Sequence, residues 1–207
     1  MIKRKKTITM VFAAGLLVFL FTSCYKTDPD KISDDFVWSP DISLALGEVE
    51  TSLSKIPPND VPYHYSATLY DTINVDISDL FDKREYVDSM IFRLNIENQF
   101  PAQGRVFIFY PVKGQDLDYD RSLTGDQPVL IAAGRIDSEG KSTIPSKKQE
   151  DISVTSSQID DLFTASFLVI RTDVIDIIVD QPVKNNLLNY KFSSQVGLQA
   201  KLTIAYE

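Results

Sequence analysis

The chain has 207 residues, 43% of them hydrophobic, with 29 acidic against 21 basic side chains and a single histidine. The excess of negative charge argues against nucleic acid or anionic lipid headgroups as partners, since both require clustered lysine and arginine. One cysteine permits no intrachain disulfide and one histidine permits no multi-histidine metal centre, so stability must come from a hydrophobic core.

Lys3, Arg4, Lys5 and Lys6 precede an uncharged apolar run from Met10 to Phe21, closed by Thr22-Ser23-Cys24. This is the three-part layout of a secretory signal. Small Ser23 ahead of the chain's only cysteine resembles the lipobox at which bacterial lipoproteins are acylated on sulfur and cleaved. The pattern predicts a signal peptide over 1–23, with palmitate-type acylation at Cys24. A membrane-spanning anchor needs about 20 apolar residues, and this run is shorter with no basic flank behind it. Each buried methylene contributes about 0.8 kcal/mol, so one acyl chain holds weakly and two or more hold stably. Four of the 21 basic residues and none of the 29 acidic ones precede Cys24, leaving 17 against 29 and a charge of −12.

Residues 24–35 form the next segment, a lipidated cysteine followed by a polar stretch that includes Pro29 and has almost nothing to bury. It predicts a flexible stalk. Lys26 with Asp28 and Asp30 resembles the short signal that sends Bacteroidetes-type lipoproteins to the outer face of the outer membrane. Location at that membrane, lipid-anchored and facing the cell surface, is the resulting expectation.

The body spans 36–207. Ile42, Leu44 and Leu46 alternate on one face of a strand that Gly47 is expected to end. Ile56 to Pro62 is a breaker cluster and predicts a loop; Thr72 to Ile77 repeats the alternation. Asp79 to Asp88 suits a short helix or loop. Met90, Phe92, Leu94 and Ile96 share a face against Ile91, Arg93, Asn95 and Glu97, and Asn98 to Gly104 supplies a turn. Val106 to Tyr110 returns with apolar residues on both faces, as a central strand covered on both sides would. Asp116 to Gln127 predicts a polar loop. Val129 to Asp137 follows as a strand, Ser138 to Lys141 as a turn and Asp151 to Val154 as a short extended piece. Thr155-Ser-Ser-Gln158 matches a capping box, with Ile159, Leu162 and Phe163 behind it at helical spacing. Phe167 to Ile170 and Val174 to Val179 predict two strands, and Val196 to Tyr206 alternates as a last one. Eight or nine strands and one short helix, with no βαβ alternation, predict an all-β antiparallel sandwich.

Several of these stretches together resemble a family of Bacteroidetes surface lipoproteins of unassigned activity. They are the lipobox, Trp38-Ser-Pro40, Ile96-Glu-Asn98-Gln-Phe-Pro101, Ala133-Gly134-Arg-Ile136 leading to Gly140-Lys141, and the helix from Thr155 to Phe163. The strand–Asn–x–x–Pro–strand unit is also similar to the late-embryogenesis-abundant type 2 sandwich. The resemblance implies a fold and a location and brings no catalytic residues.

Chemistry-bearing patterns are sparse. His64 is the one candidate for a Ser-His-Asp arrangement and sits beside prolines, where a surface or partly packed ring is the plainer reading. Ser52-x-x-Lys55 has the spacing of a serine nucleophile with a lysine base, but its companion motifs are absent. Asp116, Asp118 and Asp120 alternate as calcium ligands do, yet Arg121 stands where an EF-hand needs glycine and Gln127 where it needs glutamate. Trp38, Tyr63, Tyr65 and Tyr70 are aromatic rings that could stack on sugars, with Trp38, Tyr63 and Tyr65 as the binding candidates; Trp38 next to Ser39-Pro40 is expected rather to pack into the sandwich end. No phosphate loop, dinucleotide fingerprint or cysteine cluster occurs, so no cofactor is expected.

The expectation is therefore a non-enzymatic lipoprotein, held in the outer membrane by its lipid, acting as a binding or assembly module at the cell envelope. Its partner would be an envelope protein or an extracellular glycan, met through the loops Pro57 to Tyr65 and Asp116 to Asp126. A purely structural spacer and an acidic-residue hydrolase are the rival classes.

Overall fold

The computed structural model describes residues 37–57, 59–111 and 121–205. The signal segment, Cys24, the stalk and the calcium candidates Asp116, Asp118 and Asp120 lie outside the described residues. Those described fall into two compact units. In the smaller, β1 (Val37–Trp38) pairs antiparallel with β12 (Ile204–Ala205).

The larger unit, Ser39–Thr203, is an antiparallel sandwich of two four-stranded sheets. The first sheet runs β2 (Asp41–Thr51), β11 (Phe192–Leu202), β4 (Val87–Asn98), β9 (Ser146–Val154). The second runs β3 (Tyr63–Asn74), β10 (Phe167–Val179), β5 (Gln103–Phe109), β6 (Val129–Ile131). A small hairpin, β7 (Arg135–Ile136) and β8 (Ser142–Ile144), stands apart from both. The alternation in the sequence sets which side chains meet between the sheets, because successive residues of a strand point to opposite faces. Phe92, Leu94, Val196 and Leu198 from the first sheet and Ile108, Leu168, Ile170 and Val174 from the second are buried in one core.

Several strands run further than their apolar pattern suggests. β2 continues past Gly47 because Leu46 is an extra residue: pairing moves from Val196–Gly47 to Gly197–Ala45. Such a bulge bends the strand without ending it. β3 takes in Tyr63 to Asp71, so the loop expected up to Tyr65 closes at Pro62, which follows a cis Val61–Pro62 bond. The two strands expected between Phe167 and Val179 are one, β10, with its register broken between Val174 and Ile177.

The apolar double face of β5 has its own explanation. Val106 and Ile108 point into the core, while Phe107 and Phe109 stack on the outside at 5.9 Å. Arg171 of neighbouring β10 lays its guanidinium 4.3 Å from the Phe107 centroid and pairs with Asp173 at 3.0 Å. The cation over the two rings covers part of that side.

Short helices close the ends. The expected helix is α2 (Ser156–Leu162), and its capping box is formed: the Thr155 side chain accepts from the Gln158 N–H and the Gln158 side chain accepts from the Thr155 N–H. Two more were not foreseen as helices with these bounds, α1 (Ile77–Leu80), capped by Asp76, and α3 (Gln181–Asn186), capped by Asp180 with proline in its first turn. A 3-10 turn covers Arg84–Tyr86.

Tyr190 ties α3 and the β7–β8 hairpin to the sandwich. It is fully buried, packs edge-on to Phe100 at 5.6 Å, and donates its hydroxyl to the Gly140 carbonyl. Burial, with Asp180 and Asp137 nearby, pushes the phenol up to about 12. A phenol whose folded pKa lies above its unfolded value stabilises the fold fully below pH ~10 and loses that contribution as pH rises through the folded value. Thermal unfolding should therefore show the wild type losing its advantage over Tyr190→Phe between about pH 10 and 12. A constant gap across that range would contradict the buried hydrogen bond.

Candidate functional site

The residues singled out by type are not assembled into a site. Tyr63 and Tyr65 occupy inward positions of β3 and pack against the core, with the Tyr63 hydroxyl buried, so they offer no stacking platform. Trp38 is 49% exposed rather than packed away. His64 Nδ1 lies 2.5 Å from Asp176 Oδ1, and both side chains are about two-thirds exposed. Ser66 is close by, but its hydroxyl accepts from the Asp176 N–H at 3.0 Å. Its partner is thus a bulge backbone, where Asp176 holds φ 58, and not the histidine ring a triad would require. Ser52 and Lys55 are both exposed and share no hydrogen bond. Among the described residues there is no group of three or more histidine, cysteine or acidic side chains that could hold a metal ion.

The outer face of the first sheet is different. Register places Glu48, Gln195, Asn95 and Gln149 side by side across β2, β11, β4 and β9. All four are exposed, and none makes a side-chain hydrogen bond or ion pair among the described residues.

The acidic side chains of the rows on either side are paired. On one, Glu50 is bridged by Lys191 at 2.7 Å and Glu97 by Lys147 at 2.9 Å. On the other, Arg93 grips both oxygens of Asp151, at 2.7 Å each. That hydrogen-bonded guanidinium holds the Asp151 carboxyl below its usual value.

This face is dented. A depression of about 380 Å³ is lined by Asn95, Gln149, Ser193 and Gln195 among others, and an adjoining one of about 630 Å³ extends over Ala45, Gly197 and Gln199. Glu48, Asn95 and Gln195 line both, so the two form one trough. The floor has a cause in the sequence: Gly197 contributes no side chain in the row beside Gln195, and the β2 bulge bends the edge next to it.

Chemically the row pairs donors with acceptors. Each amide of Asn95, Gln149 and Gln195 presents a carbonyl oxygen beside an NH₂ group, and the Glu48 carboxylate accepts only. The trough can hold a polar ligand by several hydrogen bonds. The loops expected to carry contacts are not where these groups converge.

No family model and no curated protein matches the chain. Solved structures similar to it at a distance include three viral ones. A structure of the infectious bursal disease virus Gx strain has a TM-score of 0.34 and 9% identity, covering 83% of this chain and 32% of that one. Desmodium yellow mottle tymovirus gives 0.33 and 10%, covering 82% and 89%. The infectious bursal disease virus VP2 subviral particle gives 0.31 and 8%, covering 79% and 33%. The chain thus spans about a third of the length of the first of these. At such scores the likeness says nothing of what this chain binds.

Proposed function

We propose that the chain is a non-enzymatic binding module, held at the outer membrane by lipid on Cys24, which uses the trough on its first sheet as its binding face. The observation that carries the binding role is the unengaged row Glu48–Gln195–Asn95–Gln149 between two rows whose charges are paired. Side chains that cancel one another serve solubility, whereas a contiguous row left free keeps its hydrogen-bonding capacity for a partner. The tether rests on the basic n-region, apolar run and Ser23-Cys24.

Photo-cross-linking on intact cells tests this reading. A photoreactive residue in place of Asn95 should give an adduct with an envelope component, and one in place of Tyr70, on the outer face of the other sheet, should give none. Adducts from Tyr70 alone, or from neither position, would overturn it.

A further inference from the structure

We infer that the occupant of the trough is an extended, uncharged polysaccharide lying across the strands along the Glu48–Gln195–Asn95–Gln149 row. The inference rests on the binding role proposed above and names its ligand class.

Three features point to this chemistry. The first is valence. Vicinal hydroxyls on a sugar ring present a donor and an acceptor at the separation of the two polar atoms of one amide, so each of Gln195, Asn95 and Gln149 can take two at once. The Glu48 carboxylate accepts from two more.

The second is spacing. Adjacent strands lie about 4.8 Å apart, so the four side chains recur at nearly the advance of an extended hexopyranose chain per sugar. A polymer running perpendicular to the strands meets one polar group per residue. Beside the row, Ala45 and Gly197 leave a small-residue floor on which the C–H face of a ring can rest.

The third is charge. Lys147, Lys148 and Arg93 around the trough are each paired with a carboxylate, leaving Glu48 as its one uncompensated charge among the described residues. That single negative charge, on an acidic chain, repels a polyanion and tolerates a neutral polymer. Among the described residues that line the trough, none is aromatic. Each site then binds weakly through hydrogen bonds, and many tethered copies on one surface supply the avidity.

The test is affinity electrophoresis of the full-length protein in a zwitterionic detergent. The gels contain a linear β-glucan, a linear α-glucan, a mannan or, as the polyanion, alginate. At least one neutral polysaccharide should retard the wild type, with no dependence on salt, and alginate should not. The double variant Asn95→Ala/Gln195→Ala should bind at least roughly tenfold more weakly, while Tyr70→Ala should bind as wild type does. Because neither Asn95 nor Gln195 holds a side-chain bond among the described residues, the double variant should melt with the wild type.

Retardation by no neutral polysaccharide would overturn the inference. So would retardation unchanged in the double variant, or salt-sensitive retardation by alginate. If the polysaccharides fail while Asn95 still cross-links to an envelope protein, the binding role stands and only the ligand class falls; if both fail, both fall.

Discussion

Asn98→Ala is expected to lower the unfolding free energy by roughly 3–5 kcal/mol, since each buried polar group left without a partner costs about 1–3 kcal/mol. The side chain is fully buried at the end of β4. Its amide donates to the Ala102 carbonyl at 2.8 Å and the Ala132 carbonyl at 2.9 Å, and its oxygen accepts from the Phe100 N–H at 2.9 Å. One residue thereby fixes the β4–β5 turn and the segment after β6. Gly134 follows on that segment, donating its N–H to Phe100 at 2.8 Å, with no room for a Cβ, which would stand 2.7 Å from the Asn98 carbonyl oxygen. Asn98→Asp is the sharper variant. It keeps the acceptor and turns a carboxylate toward two carbonyl oxygens, so it should destabilise at least as much as alanine. Urea unfolding measures both; a loss under about 1 kcal/mol for either would show that the clamp is not holding these segments.

Gly140→Ala should cost a comparable amount, roughly 3–5 kcal/mol, combining a left-handed backbone with overpacking. Gly140 turns the β7–β8 hairpin at φ 78, and a Cβ there would lie 2.3 Å from the Pro182 carbonyl oxygen. That contact is backbone, so no rotamer relieves it; the hairpin and α3 would have to part. Parting them would also break the bond from Tyr190 to Gly140. The variant should unfold at lower urea and lose the alkaline signature of Tyr190 as well. Retention of that signature with wild-type stability would contradict the close packing of hairpin and helix.

These two positions bear on what the sequence could tell. Asn98, Gly134 and Gly140 belong to the stretches on which a family resemblance rests, and in the structure each serves to lock chain segments together. Their pattern speaks of architecture and leaves the ligand open.

The fold itself was legible because alternation is local. Met90, Phe92, Leu94 and Ile96 identified β4, and Thr155 with Gln158 identified α2. α1 and α3 are too short for an amphipathic period, although Asp180 followed by Pro182 was a start signal in plain view. The break between β6 and β7 comes from the close approach at Gly134, which no local pattern displays.

The trough was half legible. Alternation placed Asn95 on the outward face of β4, but Glu48, Gln195 and Gln149 are remote from it in the chain. Only the strand order β2-β11-β4-β9 makes them neighbours. The aromatic residues drew attention by type, and the same alternation that made β3 a strand turned Tyr63 and Tyr65 inward.

We propose that the lipidated chain presents the Glu48–Gln195–Asn95–Gln149 row outside the cell, and labelling of intact cells by a membrane-impermeant maleimide decides the matter. The chain has one cysteine, Cys24, so a thiol placed by Gln149→Cys reports on the row against a wild type whose only sulfur is acylated. Gln149→Cys should be labelled on intact cells, and the wild type neither before nor after lysis. Labelling of Gln149→Cys only after lysis, or of the wild type at Cys24, would contradict it.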